Sequence, residues 1–169
     1  NFVHGYPFYA VSIALFKDEL PLVAVVADVF HEQIYSAVRG KGAYRDEEKI
    51  SVTETSTLEE ALLATGFPYI HNEIWQRNIE LFREFTDRCQ GVRRAGAAAL
   101  DLCHVACGWL DGFWEHGLQP WDSAAGILIV EEAGGKITRN DGSEFSIFHD
   151  NIVASNGVLH EEILEVISN

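Results

Sequence analysis

The segment "EHGLQPWDSAAGILIVEEAGG", residues 115 to 135, is the part of the sequence that says most about the fold. From Asp122 onward it is small or aliphatic, which predicts a nearly all-apolar helix that ends at Gly134 and Gly135. A helix that is apolar all round is buried. Asp122 itself is a favoured N-cap residue, because its carboxylate accepts hydrogen bonds from the first-turn amides. From this segment alone, capping is its favoured role.

The flanking sequence predicts further strands and helices around this buried helix. Three stretches rich in β-branched and aromatic residues predict consecutive antiparallel strands of one meander. These stretches are 8–16, 21–30 and 33–40. Helical periodicity or small-residue runs predict further helices, which alternate with short strands. They span 72–90, 96–108 and 157–168. Such alternation predicts an α/β fold, a layered α+β sandwich, as a single domain over residues 1–169.

Two short patterns in the first half each have a local interpretation. Thr57 and Glu60 have the spacing of a capping box, which predicts the start of a short helix. "GKGAY" has glycines at 40 and 42. A phosphate-binding loop is one interpretation, but no helix start follows the glycines, and a simple turn is favoured.

The net charge and the apolar runs of the sequence indicate which kinds of partner are not expected. The formal net charge is −14, so the chain repels phosphate backbones and anionic lipid, and neither nucleic acid nor a membrane is an expected partner. No apolar run approaches the ~20 residues of a membrane span. No signal peptide is visible.

Cysteine and methionine usage gives two further expectations. The three cysteines form no CxxC pair, which fits a reducing cytoplasm better than a secreted disulfide framework. Cys103 and Cys107 are interpreted as small core residues rather than as ligands of a shared metal. The chain has no methionine and opens on "NFVHGYPFYAVSIALF", which has the character of a domain interior. We therefore expect a processed or truncated product.

Two carboxylates and two helix starts are candidates for a ligand site. Glu115 ends a predicted strand, and Asp122 follows it after a loop. The first turns of two helices, 96–99 and 123–126, carry only small residues, so a ligand could approach their free amides. Ligand sites of α/β folds lie beyond strand ends, where these elements could converge. The seven histidines show no metal-binding pattern, and surface or packing roles are expected for them.

Several segments together resemble one enzyme family. "WDSAAGILIVEEAGG" resembles the W-D-x-A-A-G…E-A-G-G signature of the inositol monophosphatase family, which consists of magnesium-dependent, lithium-sensitive phosphatases. Five other segments are similar to family segments in the same order. They are "NFVHGYPFYAVSIAL", "GKGAY", "ATGFP", "RRAGAAALDLCHVACGWLDGFWE" and "NIVASN". The resemblance covers essentially all 169 residues and implies the C-terminal portion of the fold shared with fructose-1,6-bisphosphatase.

The resemblance implies a role for each candidate residue. Asp122 matches an aspartate that ligates the second metal ion and lies against the substrate. Glu115 matches a glutamate that hydrogen-bonds a hydroxyl of the inositol ring. Gly96, Ala97 and Ala98 match a segment that contacts the substrate largely through its backbone. The family commonly has Thr or Ser at the position of Ala97, so this chain lacks that hydroxyl.

The family's main acidic motif is absent from these residues. In the family, D-P-hydrophobic-D-G-T directly precedes the Asn-Phe that is Asn1-Phe2 here. A metal-binding glutamate and a threonine that helps to activate water lie further upstream. Mg²⁺ needs about six oxygen ligands, so Asp122 alone cannot hold a metal cluster.

The resulting expectation is a magnesium-dependent phosphomonoesterase. The full-length parent would hydrolyse a phosphate monoester such as inositol 1-phosphate, as a cytoplasmic homodimer, while these 169 residues alone would be inactive. Other substrates are fructose 1,6-bisphosphate, histidinol phosphate and 3′-phosphoadenosine 5′-phosphate. A second class of function is a non-catalytic subunit or interaction module of the same fold.

Overall fold

The structure, a computed structural model, describes residues 1–168, which form two five-stranded sheets and four α-helices. The strands are β1 (Ala10–Lys17), β2 (Leu20–Asp28), β3 (Gln33–Val38), β4 (Ala43–Arg45), β5 (Glu48–Ile50), β6 (Leu62–Thr65), β7 (Gly91–Arg93), β8 (Gly112–His116), β9 (Lys136–Thr138) and β10 (Asn151–Ser155). The helices are α1 (Glu73–Thr86), α2 (Ala98–Ala106), α3 (Pro120–Glu132) and α4 (His160–Ser168). Within these residues, no helix has the length and apolar character needed to cross a membrane.

The first sheet is the predicted meander. Its strands lie in the order β1-β2-β3-β4-β5, and each neighbouring pair is antiparallel. The second sheet has the order β7-β6-β8-β10-β9 and is mixed. In it β6 runs parallel to both β7 and β8, whereas β10 runs antiparallel to β8 and β9. The parallel pairing places the ends of β6 and β8 at the same edge.

Sheets and helices alternate in layers, which confirms the predicted fold class. Helices α2 and α3 pack against each other between the two sheets, and one apolar core joins them to the inner face of the first sheet. Helices α1 and α4 cover the other face of the second sheet around a second core. Cys103 is buried in the first core, as predicted, and burial raises the pKa of its thiol.

The contact between α2 and α3 depends on a glycine within α3. Residues 125–130 are buried, as the all-apolar sequence predicts. A Cβ at Gly126 would lie 2.5 Å from Cδ1 and 2.7 Å from Cβ of Leu102 on α2. The missing side chain therefore sets how closely the two helices approach, even though glycine is a poor helix former.

The predicted capping box at Thr57 is wrong. Residues Leu58–Glu60 form a single 3-10 turn, and the Thr57 side chain makes no capping hydrogen bond. The Leu58 N–H donates instead to the carboxylate of Glu162 on α4, 3.2 Å away. The Glu60 N–H donates to the backbone carbonyl of Thr57, not to its side chain.

The Gly-Lys-Gly loop is a turn, as predicted, and its amides bind a carboxylate of the same chain. Gly40 and Gly42 both have positive φ. Their N–H groups donate to the two carboxylate oxygens of Glu132, over 2.7 Å and 2.8 Å. These bonds lower the pKa of Glu132, although its partial burial acts in the opposite direction. The loop thus joins the meander to the C-terminal end of α3.

Removal of this carboxylate is expected to destabilise the fold. Glu132→Ala should lower the free energy of unfolding by about 1–2 kcal/mol, because two charge-assisted hydrogen bonds are lost. The matched control is Glu131→Ala, which removes an exposed ion pair with Arg39 and should cost at most about 0.5 kcal/mol. Urea denaturation of both variants measures the difference. Equal losses of unfolding free energy in the two variants would show that the hydrogen bonds from the loop amides to Glu132 stabilise the fold no more than an exposed ion pair does.

Candidate active site

Asp122 lies in the first turn of α3, and it is not the N-cap. The helix begins at Pro120, whose fixed φ suits the first helical position. Gln119 is the N-cap, with extended backbone angles, and its N–H donates to Oδ2 of Asp122 over 2.9 Å. The prediction that Asp122 begins the helix is therefore wrong by two residues. Its carboxylate nevertheless takes part in capping, in the reciprocal position of a capping box.

Glu115 lies near the end of β8 and packs against a glycine of the neighbouring strand end. In the parallel register Thr65 faces Trp114, so Gly66 and Glu115 follow at the same edge. A Cβ at Gly66 would overlap the carboxyl group of Glu115. The glycine of the "ATGFP" segment therefore provides the space that this carboxyl group occupies, a role that the sequence did not reveal.

Three carboxyl groups interact in this region. Burial, together with the charges of Asp101 and Asp122, raises the pKa of Glu115 to about 8, against the lowering effect of Arg94. Glu115 is only 9% exposed. Asp101, in the first turns of α2, is 2% exposed, and burial raises its pKa to about 8. Asp101 was not among the residues predicted for the site, although an acid inside the apolar run "AAALDLCHVA" is an unusual feature of the sequence.

The start of α2 is held by a side chain from the beginning of the chain. The helix begins at Ala98 with Ala97 as its N-cap, and Gly96 before it has a φ of +86°. No side-chain hydrogen bond caps this helix start. The Asn1 side-chain amide donates to three backbone carbonyls, those of Phe8, Ala95 and Gly96, over 2.7, 2.9 and 3.2 Å. Asn1 therefore fixes the loop that precedes α2.

The structure brings the candidate residues to one region of the fold. The charges of Asp101, on α2, and Asp122, on α3, both act on Glu115, at the end of β8. Gly96, Ala97 and Ala98 form the uncapped start of α2, three residues before Asp101. The site therefore combines carboxylates, which attract cations, with free helix-start amides, which attract anions.

His116 has a structural role, as the sequence analysis expected. Its Nδ1 lies 2.9 Å from Oδ1 of Asn78, and its Nε2 lies 3.1 Å from Nδ2 of Asn140. Burial lowers the pKa of the ring. Since an amide partner occupies each ring nitrogen, His116 is not available as a base beside Glu115.

The donor chemistry fits Mg²⁺ only in part. The carboxylate of Asp122 is a hard oxygen ligand of the kind that Mg²⁺ prefers. Within residues 1–168, however, no group of three or more His, Cys, Asp or Glu side chains is arranged to hold a metal ion. This part of the chain can thus supply one ligand and the surroundings of a metal site, but not a full set of ligands.

The fold and these sequence segments together identify the family of the chain. The chain belongs to the inositol monophosphatase family, whose sequence model matches residues 1–169. It is 49% identical over 174 residues to the chloroplastic phosphatase IMPL1 of Arabidopsis thaliana, covering 99% of this chain and 47% of that protein. It is 43% identical over 170 residues to the Nus factor SuhB of Pseudomonas aeruginosa, covering 99% of this chain and 62% of the relative.

A solved structure has the same fold. The inositol monophosphatase of Anabaena superposes with a TM-score of 0.91 at 41% sequence identity, covering 99% of this chain and 67% of that one. The chain spans between about half and two thirds of the length of the curated relatives described above.

Proposed function

We propose that the complete protein carrying these residues hydrolyses a phosphate monoester such as inositol 1-phosphate to inositol and phosphate, with Mg²⁺ as cofactor. The observation that carries the proposal is the gathering of Glu115, Asp101 and Asp122 beside the uncapped start of α2. Membership of the inositol monophosphatase family supports it. Lithium inhibition, a homodimer and a cytoplasmic location belong to the same proposal.

Each candidate residue has a distinct part in this proposal. When bound, Mg²⁺ would provide the chemistry that activates a water and offsets charge on the leaving oxygen. Asp122 contributes one carboxylate ligand and lies against the substrate. Glu115 hydrogen-bonds a hydroxyl of the sugar or polyol. Gly96, Ala97 and Ala98 contact the substrate through backbone amides, and because Ala97 has no hydroxyl, these contacts depend on the backbone alone.

Phosphate release from inositol 1-phosphate tests the proposal. The complete protein should show turnover that disappears when divalent metal is chelated. Residues 1–169 alone should show negligible turnover, because within residues 1–168 no group of three or more His, Cys, Asp or Glu side chains is arranged to hold a metal ion. A substrate panel with fructose 1,6-bisphosphate, histidinol phosphate and 3′-phosphoadenosine 5′-phosphate would identify the preferred ester. Metal-independent activity of the complete protein, or robust Mg²⁺-dependent turnover by residues 1–169, would contradict it.

A non-catalytic interaction module is the second candidate function. The observation that favours it is the name of the Pseudomonas aeruginosa relative, a Nus factor. The same assay separates the two functions, because an interaction module would fold and yet release no phosphate from any substrate in the panel at any Mg²⁺ concentration.

Gly66 provides a test of the role of Glu115. Gly66→Ala should displace the Glu115 carboxyl group, because the added Cβ would overlap it. The loss of one substrate hydrogen bond should raise KM for inositol 1-phosphate about ten-fold, with little change in melting temperature. Glu115→Gln should act in the same direction. Gly91→Ala is the matched control, because its Cβ would meet only the ends of the Arg93 and Leu62 side chains. An unchanged KM in Gly66→Ala would remove Glu115 from the substrate site.

A further inference from the structure

Glu115 and His116 are neighbours at the end of β8, and their side chains lie on opposite faces of the second sheet. Successive side chains of a strand alternate between the two faces. Phe113 belongs to the core around α2 and α3, whereas Trp114 belongs to the core around α1 and α4. By the same alternation Glu115 faces the layer of α2 and α3, and His116 faces α1. His116 therefore lies on the opposite face of the sheet from the candidate site.

A buried side chain of α1 makes two hydrogen bonds to His116. Asn78 is 0% exposed. Its Nδ2 donates to the backbone carbonyl of His116 over 3.3 Å, so its Oδ1 is the atom that accepts from the ring. Nδ1 of His116 lies 2.9 Å from that Oδ1 and therefore carries the hydrogen. The amide of Asn78 thus binds both the main chain and the side chain of the residue that follows Glu115.

The other nitrogen of the His116 ring binds the loop between β9 and β10. With the hydrogen on Nδ1, Nε2 is an acceptor, and Nδ2 of Asn140 donates to it over 3.1 Å. The N–H of Asn140 donates in turn to Oδ1 of Asn151, the residue of β10 that pairs with His116. The uncharged ring therefore joins α1, the end of β8 and the loop before β10 in one continuous set of hydrogen bonds.

We propose that His116 is a positioning residue: held by Asn78 and Asn140, it fixes the end of β8 and thereby the direction in which Glu115 meets a hydroxyl of the substrate. This role rests on the proposed function, in which Glu115 binds that hydroxyl. On the site face, the carboxyl group of Glu115 packs directly on the Gly66 backbone, because a Cβ there would overlap it. A change in the twist of the strand end would therefore change where that carboxyl group lies.

Loss of the ring would release the strand end as well as the side chain. Without His116, Oδ1 of Asn78 has no donor from the ring, and an unpaired buried acceptor is costly. The Asn78 amide should then turn toward another donor, which also breaks its bond to the carbonyl of residue 116. A substitution on one face of the sheet is thus expected to move the Glu115 carboxyl group on the other.

Steady-state kinetics of His116→Leu in the complete protein test this role with two substrates. Leucine fills much of the space of the ring and makes no hydrogen bond. KM for inositol 1-phosphate should rise about five-fold while kcat changes by less than about two-fold, as for the loss of a binding contact. p-Nitrophenyl phosphate offers Glu115 no polyol hydroxyl, so its kcat/KM should change by less than about two-fold. His116→Asn should restore KM, because its Nδ2 can replace Nδ1 as the donor to Asn78.

His160→Leu is the matched control, since it removes another histidine with both ring nitrogens bonded, at the opposite end of the same pair of strands. The ring nitrogens of His160 lie 2.8 Å from the hydroxyl oxygens of Ser155 and Thr138. Ser155 of β10 pairs with Gly112, at the start of β8. This variant should lower the melting temperature at least as much as His116→Leu does and leave KM for inositol 1-phosphate unchanged.

Combination with Glu115→Gln shows whether His116 acts through Glu115. In the Glu115→Gln background, His116→Leu should raise KM for inositol 1-phosphate no further. Three results would overturn the positioning role alone: an unchanged KM in folded His116→Leu, an equal rise in His160→Leu, or an additive rise in the double variant. Failure of the unsubstituted complete protein to release phosphate from inositol 1-phosphate would overturn the proposed function and this role with it.

Discussion

Asp122→Asn in the complete protein is expected to lower kcat/KM for inositol 1-phosphate roughly 100-fold or more. The substitution removes the negative charge of a proposed metal ligand while keeping an oxygen that can accept the hydrogen bond from the Gln119 N–H. Asp122→Asn should therefore weaken metal binding while it keeps the capping hydrogen bond. Isothermal titration with Mg²⁺ should show weaker binding, and the melting temperature should change little.

Asp122→Ala is the comparison that isolates the capping role. It removes the ligand and the acceptor together, so activity should fall as in Asp122→Asn and stability should fall as well. The stability loss should be about 1 kcal/mol, as for other helix caps. If Asp122→Asn retains activity within two-fold of the unsubstituted protein, Asp122 is a capping residue only.

Gly126→Ala is expected to destabilise the fold although alanine is the better helix former. Without a clash, alanine would stabilise the middle of α3 by about 1 kcal/mol. The added Cβ, however, would lie 2.5 Å from Cδ1 of Leu102, and both helices belong to the central layer. Overpacking of this kind typically costs about 1–3 kcal/mol, so the net effect should be destabilising. Urea denaturation of residues 1–169 measures it.

A double-mutant cycle with Leu102→Ala shows whether this contact is the cause. Leu102→Ala alone should destabilise by roughly 2–5 kcal/mol because it leaves a cavity. In that background Gly126→Ala should destabilise less than it does alone, because the contact with Cδ1 is gone, although the Cβ of residue 102 remains 2.7 Å from the added methyl group. Additive effects of the two substitutions would show that the close approach of α2 and α3 does not depend on Gly126.

The strands and helices with a regular hydrophobic period could be predicted from the sequence, because that period depends only on residues close together in the chain. Alternation along β1, β2 and β3 and the helical repeat of α1 both follow from side-chain direction, and the structure confirms these elements. The failures concern element ends. Thr57 makes no side-chain capping hydrogen bond, and the Leu58 amide of the same turn donates to Glu162, which is distant in sequence. Element ends depend on such tertiary partners.

Some residues of the candidate site could likewise be predicted from the sequence, and others could not. Asp122 and Glu115 stand out in the sequence because each follows or precedes a segment with a clear pattern. Gly66 and Asn1 do not, because their roles arise only when β6 pairs with β8 and when the Gly96 loop reaches the start of the chain. Contacts between residues so far apart in sequence leave no local pattern.

The hydrogen bonds between Glu132 and the Gly-Lys-Gly loop give α3 a fixed axial position. Asp122 lies ten residues before Glu132 on the same helix, a separation of about 15 Å along the axis. A slip of the helix by one residue would move Asp122 by about 1.5 Å and rotate it by about 100°. By binding Glu132 at the C-terminal end of α3, the loop therefore helps to fix the position of the Asp122 carboxylate at the N-terminal end. Substitutions at Gly40 or Gly42 should therefore weaken Mg²⁺ binding by the complete protein, although neither residue is a proposed metal ligand.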